Sequence, residues 1–516
     1  MAEFFFGKNL NDGFKLMILN TVLCFKTYCM AIKNRLKNQH LLWRAGFGPA
    51  VEQLEELEKY SPEQYYKALV KASDKKPEYI NVASDDLKNI YEISLDAGRK
   101  KNLTAEDRKE LNRLQRDAIK NLNLYWFKEM VTSSAQLREK MAFFWHGHFA
   151  SRNNNVYYNQ LLLQVFREHG LGSLRRLLKE VSHSASMLFF LNNQQNKKGH
   201  PNENFAREVM ELFTLGRGNY TENDIKEAAR AFTGWSANPN GSFVFRKGQH
   251  DDGSKTVLGK TGRLDGNDVL NILLDNRQAA RFITQKIYRF FVNDKPDTTI
   301  VNSLADKFYK SDYNISKLME DIFTSDWFYI DKNIGSHIKS PIELLVGIQR
   351  MIPMQLDNDN VMMNLQRILG QQLLFPPNVA GWPGGKSWID SSTLMTRMRI
   401  PQMFADKDEL NLTPKQDDDQ MMGRKNDGTA NVPTVGKKKA ASAGMIIKAK
   451  MDWPQYISKL ESVKREDLIP KIKQTLFQAN TDVDKSLPGT IDASSRESYI
   501  KSVTIQLMST PEYQLS

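Results

Sequence analysis

A helical periodicity that runs through most of the chain constrains the fold more than any other feature. From residue 39 to about residue 399, apolar residues recur at the three-to-four-residue spacing of amphipathic helices, with short loops between the segments. The sequence contains no succession of alternating strands separated by hairpin turns. A short exception, residues 241–246, alternates polar and apolar residues like a hairpin strand. The sequence therefore predicts a mainly α fold: a large multi-helix domain with a minor β-hairpin and a C-terminal helical segment.

A change in composition divides the chain. From residue 406 to about residue 443 it is rich in Lys, Asp, Gln, Gly and Thr and has hardly an aromatic residue, which is typical of a segment that cannot bury enough surface to order itself. Helical patterning then resumes, and a last amphipathic helix is predicted over 494–508. We therefore predict an N-terminal extension or weak signal-like segment (1–34), a helical domain (35–405), a flexible low-complexity insertion (406–445) and C-terminal helices that pack on the main domain (446–516).

The amino terminus allows two interpretations. An apolar run over residues 16–25 is too short to span a bilayer, and Asp12 together with the lack of a small-residue cleavage site makes it a poor signal peptide. Met30 is also a plausible natural start. The protein is cytoplasmic if the chain starts at Met30, and exported if residues 1–29 act as a signal. No segment approaches eighteen consecutive apolar residues, so no transmembrane span is predicted.

Charge and cysteine content exclude some classes of function. The formal charge of +12 would suit an anionic partner, but it is diffuse, and no RNA-binding, zinc-finger or helix-turn-helix signature accompanies it. Nucleic-acid binding is therefore not expected. Both cysteines, Cys24 and Cys29, lie in the first thirty residues, which excludes thiol chemistry from the body of the chain. Phosphate loops, dinucleotide fingerprints and a Gly-x-Ser-x-Gly elbow are also missing.

Four sequence blocks carry a resemblance to a known family. They are HLLWRAGFGP (40–49), FWHGHF (144–149), HPNENFAREVMELFTLG (200–216) and FPPNVAGW (375–382). With them the chain resembles the bacterial domain-of-unknown-function 1800 family. The resemblance implies no established activity. It does imply a partner, because members are often encoded beside phosphatase- or sulfatase-like proteins of the domain-of-unknown-function 1501 family, and many members are exported.

The third block is predicted to form a helix from Pro201, a suitable first residue, to Gly216, a suitable C-terminal cap. Glu203, Arg207 and Glu211 follow one another at four-residue spacing, as in a solvated ion-pair ladder. Glu208 lies beside the apolar stripe instead, and a buried carboxylate there needs a partner.

Histidines in the second and third blocks are the main candidates for chemistry. With Glu208, His146, His148 and His200 could form a set suited to a divalent metal such as zinc, iron or manganese. Two histidines one residue apart point about 200° apart on a helix, so shared coordination by His146 and His148 requires the helix to end at Gly147. The alternative is that these polar groups pin helix ends. The predicted catalytic set, with or without a metal, is His146, His148, His200, Glu203, Arg207 and Glu208.

The fourth block opens a rigid aromatic loop. Trp382 and Trp388 beside Asn378 suit stacking on a sugar ring, whereas the competing interpretation is a buried tryptophan plug that locks helices together. Two functions follow from the sequence: a metal-dependent or hydrolase-like enzyme or enzyme subunit with a His/Glu/Arg pocket, or a non-catalytic scaffold that binds polysaccharide or a sulfatase/phosphatase-like partner.

Overall fold

The computed structural model describes residues 34–95, 103–406, 409–410, 445–478, 487 and 491–516. Most of the predicted N-terminal extension and most of the predicted insertion lie outside these residues. The described helices are, in chain order, 34–45 (α1), Pro62–Ser73 (α2), Asp85–Leu95 (α3), Ala105–Thr132 (α4), Gln136–His148 (α5), Val156–His169 (α6), Leu174–His183 (α7), Ala185–Phe190 (α8), Asn204–Glu208 (α9), Glu222–Ala231 (α10), Gly266–Asp275 (α11), Arg277–Phe291 (α12), Thr298–Lys310 (α13), Ile315–Phe323 (α14), Pro341–Met351 (α15), Asn360–Ile368 (α16), Ser391–Asp406 (α17), Trp453–Ser458 (α18), Leu468–Leu476 (α19) and Arg496–Met508 (α20). None of these described helices combines the length and the apolar character needed to cross a membrane.

The described strands are short, at two or three residues each. Those described are Trp235–Ala237 (β1), Phe243–Phe245 (β2), Lys255–Val257 (β3), Lys260–Gly262 (β4), Met354–Leu356 (β5), Glu409–Leu410 (β6), Met445–Ile446 (β7) and Ala449–Met451 (β8). They form two-stranded antiparallel pairs, β1 with β2, β3 with β4, β5 with β8 and β6 with β7. The mainly α prediction is confirmed, and the strand predicted over 241–246 is β2, which pairs with β1.

Local capping signals set the starts of several helices. The hydroxyl of Ser61 accepts from the backbone N–H of Gln64 at 3.3 Å, and the Gln64 side chain bonds back to the backbone of Ser61 at 2.9 Å, with Pro62 at the first helical position. At the start of α15, Ser340 and Glu343 form the same reciprocal pair. This cap fixes the Glu343 carboxylate to the backbone at the helix start.

Helix α5 lies at the centre of the core, packed against α2, α4 and α6. Every residue from 136 to 146 is buried, including charged ones. Buried charges require partners, and these are present. Glu139 accepts from the guanidinium of Arg167 at 2.9–3.0 Å, and the Lys140 ammonium is paired with Glu343.

The helix in the third resemblance block begins later than its sequence predicts. Helix α9 begins at Asn204, so the prediction that Pro201 is its first residue is wrong. The backbone N–H of Asn202 donates to the side chain of Asn196 at 2.9 Å, which holds the preceding segment in a non-helical turn. The predicted C-terminal cap is correct, because Gly216 has a φ of +79°.

The same helix widens in its second half. Residues Val209–Thr214 form a π-helix, in which hydrogen bonds reach five residues back. This change of pitch breaks the predicted ion-pair ladder. Arg207 does pair with Glu203 at 3.2 Å, but its stronger partner is Glu222 on α10, at 2.7 and 2.9 Å. The carboxylate of Glu211 bonds instead to the loop that follows the helix.

The C-terminal helices pack on the elements before the predicted insertion. Helix α20 contacts both α17 and α19, and β8 pairs with β5. The predicted last helix is present as α20, with Val503 and Leu507 fully buried. The backbone of Leu515 bridges to that of Ile338 just before α15. The exact boundaries of the predicted domains stay a prediction.

Candidate functional site

A cavity of about 490 Å³ lies beside the C-terminal end of α5, between α12, the start of α15 and the aromatic loop of the fourth block. This volume is typical of small-molecule sites. The ionisable residues that line it are His148, Lys286, Arg289, Asp294, His337 and Glu343. Its aromatic lining comprises Phe143, Phe144, Phe290, Trp382 and Trp388.

Two glycines bring the aromatic loop close to α5. Gly381 has a φ of +79°, and a Cβ at that position would overlap the carbonyl oxygen of Gly147. This close approach places the half-buried Trp382 and the buried Trp388 in the cavity wall. Asn378 is not part of the wall; its side chain accepts from the backbone N–H of Ala380 at 2.9 Å and so stabilises the turn.

His146 points into the protein core. Its Nε2 accepts from the backbone N–H of Leu374 at 3.1 Å, so the neutral ring carries its proton on Nδ1. The ring packs between Trp126 and Trp382, with centroid distances of 5.2 and 5.3 Å. Burial lowers the pKa of His146 to about 3. This histidine therefore supports the aromatic loop from behind and does not line the cavity.

His148 points elsewhere because α5 does not end at Gly147. The helix continues through His148, so the two imidazoles project about 200° apart around its axis. The Nε2 of His148 bonds to the backbone carbonyl of Phe213 at 3.2 Å, and its Nδ1 lies 3.2 Å from the ammonium of Lys286. Burial, followed by the charge of Lys286, holds the pKa of His148 well below its ordinary value.

A third histidine lies between two carboxylates. The Nδ1 of His337 is 3.6 Å from Asp294, and its Nε2 is 3.5 Å from Glu343. Both separations are too long for a hydrogen bond and lie within the range of ion pairs. The side chain of Asp294 is 39% exposed, whereas His337 and Glu343 are buried. Asp294 is thus the solvent-facing member of the group.

The protein keeps both carboxylates ionised. Burial alone would raise the pKa of Glu343, but Lys140 and then His337 outweigh it and hold that pKa well below its ordinary value. The pKa of Asp294 is lowered first by its interaction with His337, against a smaller effect of burial. The buried guanidinium of Arg44 also acts on both acids, and burial lowers its own pKa to about 10.

The remaining predicted catalytic residues lie on another part of the surface. His200 is exposed, and its backbone pairs with that of Lys197. Glu203 and Arg207 form the ion pairs with α10 described above. Glu208 is half-buried, and burial followed by the neighbouring charge of Glu211 raises its pKa. None of these side chains lines the cavity.

The sequence also predicts a metal-ligand set of His146, His148, His200 and Glu208. Among the residues that the structure describes, no group of three or more His, Cys, Asp or Glu side chains is placed to hold a metal ion. The first two histidines point to different sides of α5, and His200 is on the surface. The structure therefore does not bring these four residues together.

Comparison with known proteins identifies the family. The model of the family described as "Protein of unknown function (DUF1800)" matches residues 40–515, nearly the whole chain. The chain belongs to this family. No curated protein and no solved structure gives a significant match to this DUF1800 protein.

Several cavity residues of the DUF1800 protein were beyond the reach of sequence reasoning. Lys286 and Arg289 lie on α12, three residues apart, where the pattern indicates an ordinary polar helix face. Glu343 has the signature of a helix cap, which it also is. His337 carries no local signal. Their common feature is the cavity, which only the tertiary fold creates.

Proposed function

We propose that the cavity binds an acidic sugar, that is, a sugar ring carrying a carboxylate or sulfate group, and that His337 moves a proton to or from it. The observation that carries this proposal is the combination found in one cavity. Indole faces, a guanidinium and an imidazole between two carboxylates line the same space of about 490 Å³. That volume suits a mono- or disaccharide.

The aromatic wall supports a ring-shaped ligand. Aromatic faces bury the apolar face of a ring while the hydroxyl groups at its edge remain free for hydrogen bonds. Trp382 is half-buried and lines the cavity, and Trp388 contributes to the same wall although only 6% of it is exposed. Exposed Asp294 is placed to accept from hydroxyl groups.

The basic side of the cavity supports an acidic group on that ring. Arg289 is exposed and makes no hydrogen bond or ion pair within the described part of the chain. A free guanidinium presents several donors in a plane and binds carboxylate or sulfate through two parallel bonds. Lys286 lies one helical turn before it on the same wall.

The buried group around His337 supports proton transfer. Glu343 is fixed by the cap of α15 and kept ionised by Lys140, so it places a fixed negative charge 3.5 Å from one nitrogen of the imidazole. The other nitrogen faces Asp294 at the open side. An imidazole oriented in this way can exchange a proton with a bound group and with solvent at the open side of the cavity.

This proposal draws on both functions that the sequence suggests. It keeps His148 and the two tryptophans and replaces the other predicted catalytic residues with Arg289, Asp294, His337 and Glu343. A non-catalytic polysaccharide scaffold would use the same aromatic wall, so it differs only in lacking proton transfer. A sulfatase/phosphatase-like partner of the domain-of-unknown-function 1501 family stays a prediction, and no described surface favours it.

Calorimetric titration with a matched pair of sugars tests the ligand class. We expect glucuronate to bind at least roughly tenfold more tightly than glucose, because a charge-assisted hydrogen bond contributes about 1.5–3 kcal/mol. Arg289→Ala should remove this preference. Arg281→Ala, an exposed arginine on the same helix outside the cavity, should leave it unchanged. Equal affinities of the two sugars for the wild type would refute the acidic part of the proposal.

Proton transfer is tested by titration in two buffers that differ in ionisation enthalpy. If His337 exchanges a proton when the ligand binds, the apparent binding enthalpy of glucuronate will depend on the buffer. His337→Asn should abolish that dependence while leaving binding measurable. A buffer-independent enthalpy in the wild type between pH 6 and 8 would favour the non-catalytic scaffold.

A further inference from the structure

Lys286 ends in an unusually constrained set of hydrogen bonds. Its Nζ lies 3.1 Å from the backbone carbonyl of Leu212 and 3.2 Å from Nδ1 of His148. The Nε2 of the same imidazole lies 3.2 Å from the carbonyl of Phe213. Both carbonyls belong to the last turn of the π-helix, where backbone carbonyls lack partners from the helix itself. The lysine therefore joins α12 to the end of that helix at the cavity wall.

The chemistry of these partners fixes the direction of every bond. A carbonyl oxygen can only accept, so Phe213 requires a proton on Nε2 of His148. In a neutral ring Nδ1 is then an acceptor, and Lys286 must donate to it. Leu212 also can only accept. The amine thus gives two hydrogens to fixed acceptors, and its remaining tetrahedral position is left for the cavity that Lys286 lines.

This arrangement can accommodate a neutral amine. With two hydrogens bound to Leu212 and His148, the fourth position of a neutral Nζ is its lone pair. A charged ammonium would place a third N–H there, toward the cavity or toward the ring of Phe282, whose centroid lies 4.8 Å from Nζ. Burial, with a further contribution from nearby Arg289, lowers the pKa of Lys286 to about 8. The bonds to Leu212 and His148 thus leave one position of Nζ open for reaction, and burial increases the neutral, nucleophilic fraction of this lysine.

We propose that Lys286 is a nucleophile that forms an imine with a carbonyl compound carrying an acidic group, such as the open-chain form of an acidic sugar. This inference rests on the proposed cavity and adds a covalent step to it. The amine lone pair forms a C–N bond to the carbonyl carbon, and the oxygen becomes a hydroxyl group. The hydroxyl then leaves as water. The two hydrogens of the amine depart on the carbonyl oxygen, so amine plus carbonyl gives imine plus water.

His148 has a positioning role in this step. Its Nδ1 lies 3.2 Å from the nitrogen that loses protons and, unlike the carbonyl of Leu212, it can take up a proton from the amine and pass it to the departing oxygen. Arg289, on the same wall, is placed to hold the acidic group of the ligand. A purely structural lysine would show the same bonds to Leu212 and His148 but no preferential reaction.

Reductive trapping on the wild-type protein tests the inference without relying on a variant that folds. Glyoxylate, an aldehyde with a carboxylate, is added at pH 8 with cyanoborohydride, which reduces an imine to a stable secondary amine. Peptide mass spectrometry then gives the rate of modification at each lysine. The exposed Lys317 is the internal reference. With a pKa of about 8, about half of Lys286 is neutral at pH 8, against less than about one per cent of an ordinary lysine. We therefore expect Lys286 to be modified at least roughly tenfold faster than Lys317.

The outcomes separate this inference from the proposed function. Preferential modification of Lys286, lost in Lys286→Arg while Lys317 still reacts, supports the imine. Modification of Lys286 no faster than that of Lys317 overturns it, even if glucuronate binds as proposed. Conversely, preferential modification without any binding of glucuronate would retain the reactive lysine and refute the acidic-sugar ligand.

Discussion

Replacing Glu343 by Gln should destabilise the protein strongly, because this carboxylate is the negative centre of a buried charge cluster. One oxygen accepts from the Lys140 ammonium, and the other accepts from the backbone N–H of Ser340 at 2.7 Å and faces His337 at 3.5 Å. A glutamine offers one oxygen and an NH₂ group. It can therefore satisfy only one of these donors, and it turns a second donor toward the other.

The magnitude follows from the charge left behind. Lys140 is 1% exposed, and without Glu343 its remaining hydrogen bond goes to the carbonyl of Trp43 at 3.2 Å. Removing one partner of a buried ion pair costs about 3–5 kcal/mol. Because Glu343 raises the pKa of Lys140 against burial, Glu343→Gln should lower that pKa further. The unfolded state then binds more protons than the folded state, so the loss of stability should shrink as pH rises toward 10.

Urea unfolding gives the free energy of each variant, and a double-mutant cycle isolates the pair. Lys140→Met with Glu343→Gln removes both members of this ion pair and should be less destabilised than the sum of the single variants by on the order of 1–3 kcal/mol. Exposed Glu320→Gln is the control and should stay within about 0.5 kcal/mol of the wild type. A loss below about 1 kcal/mol for Glu343→Gln, or strict additivity in the cycle, would refute the role assigned to this carboxylate.

Three further outcomes are expected from the described contacts. His146→Phe leaves the backbone N–H of Leu374 unsatisfied, costing about 1–3 kcal/mol at pH 7. The folded-state pKa of His146 is about 3, so the unfolded state binds more protons between about pH 3 and 6.5, and acidification destabilises the wild type. Urea unfolding at pH 5 and 7 should therefore show a smaller loss of unfolding free energy at pH 5 in the variant than in the wild type. Gly381→Ala should lower the melting temperature and the affinity for glucuronate more than Gly370→Ala does. Both glycines have positive φ, but only a Cβ at residue 381 would overlap α5. Equal effects of the two variants in calorimetry would contradict this. Arg207→Lys should change the unfolding free energy by less than about 1 kcal/mol and leave titrations with glucuronate unchanged, since its ion pairs lie on the surface away from the cavity.

Signals that act over a few residues were readable from the sequence. The helical class, the strand at 241–246, the cap at Gly216 and the C-terminal helix all depend on periodicity or on a residue that suits one backbone conformation. The sequence misplaces the start of α9 because the hydrogen bond that decides it involves Asn196, a residue outside the predicted helix.

The candidate site depends on contacts between distant segments. Whether His146 and His148 can share a ligand depends on where α5 ends, and the sequence left that point open. The pairing of His337 with Asp294 and Glu343 joins the loop after α12 to the start of α15. In the tertiary fold the two tryptophans line the cavity and the charged residues of α9 do not, and the sequence alone does not show this separation in space.

The proposed ligand site is tested most directly by a crystal structure of the protein with saturating glucuronate. The proposal predicts density for the sugar in the cavity, with its ring against Trp382 and its carboxylate on the guanidinium of Arg289. It also predicts a ring hydroxyl within hydrogen-bonding distance of Asp294 or His337. Two results would contradict the central claim. One is glucuronate bound elsewhere in the crystal while the cavity is empty, and the other is an empty cavity together with no binding of glucuronate in solution.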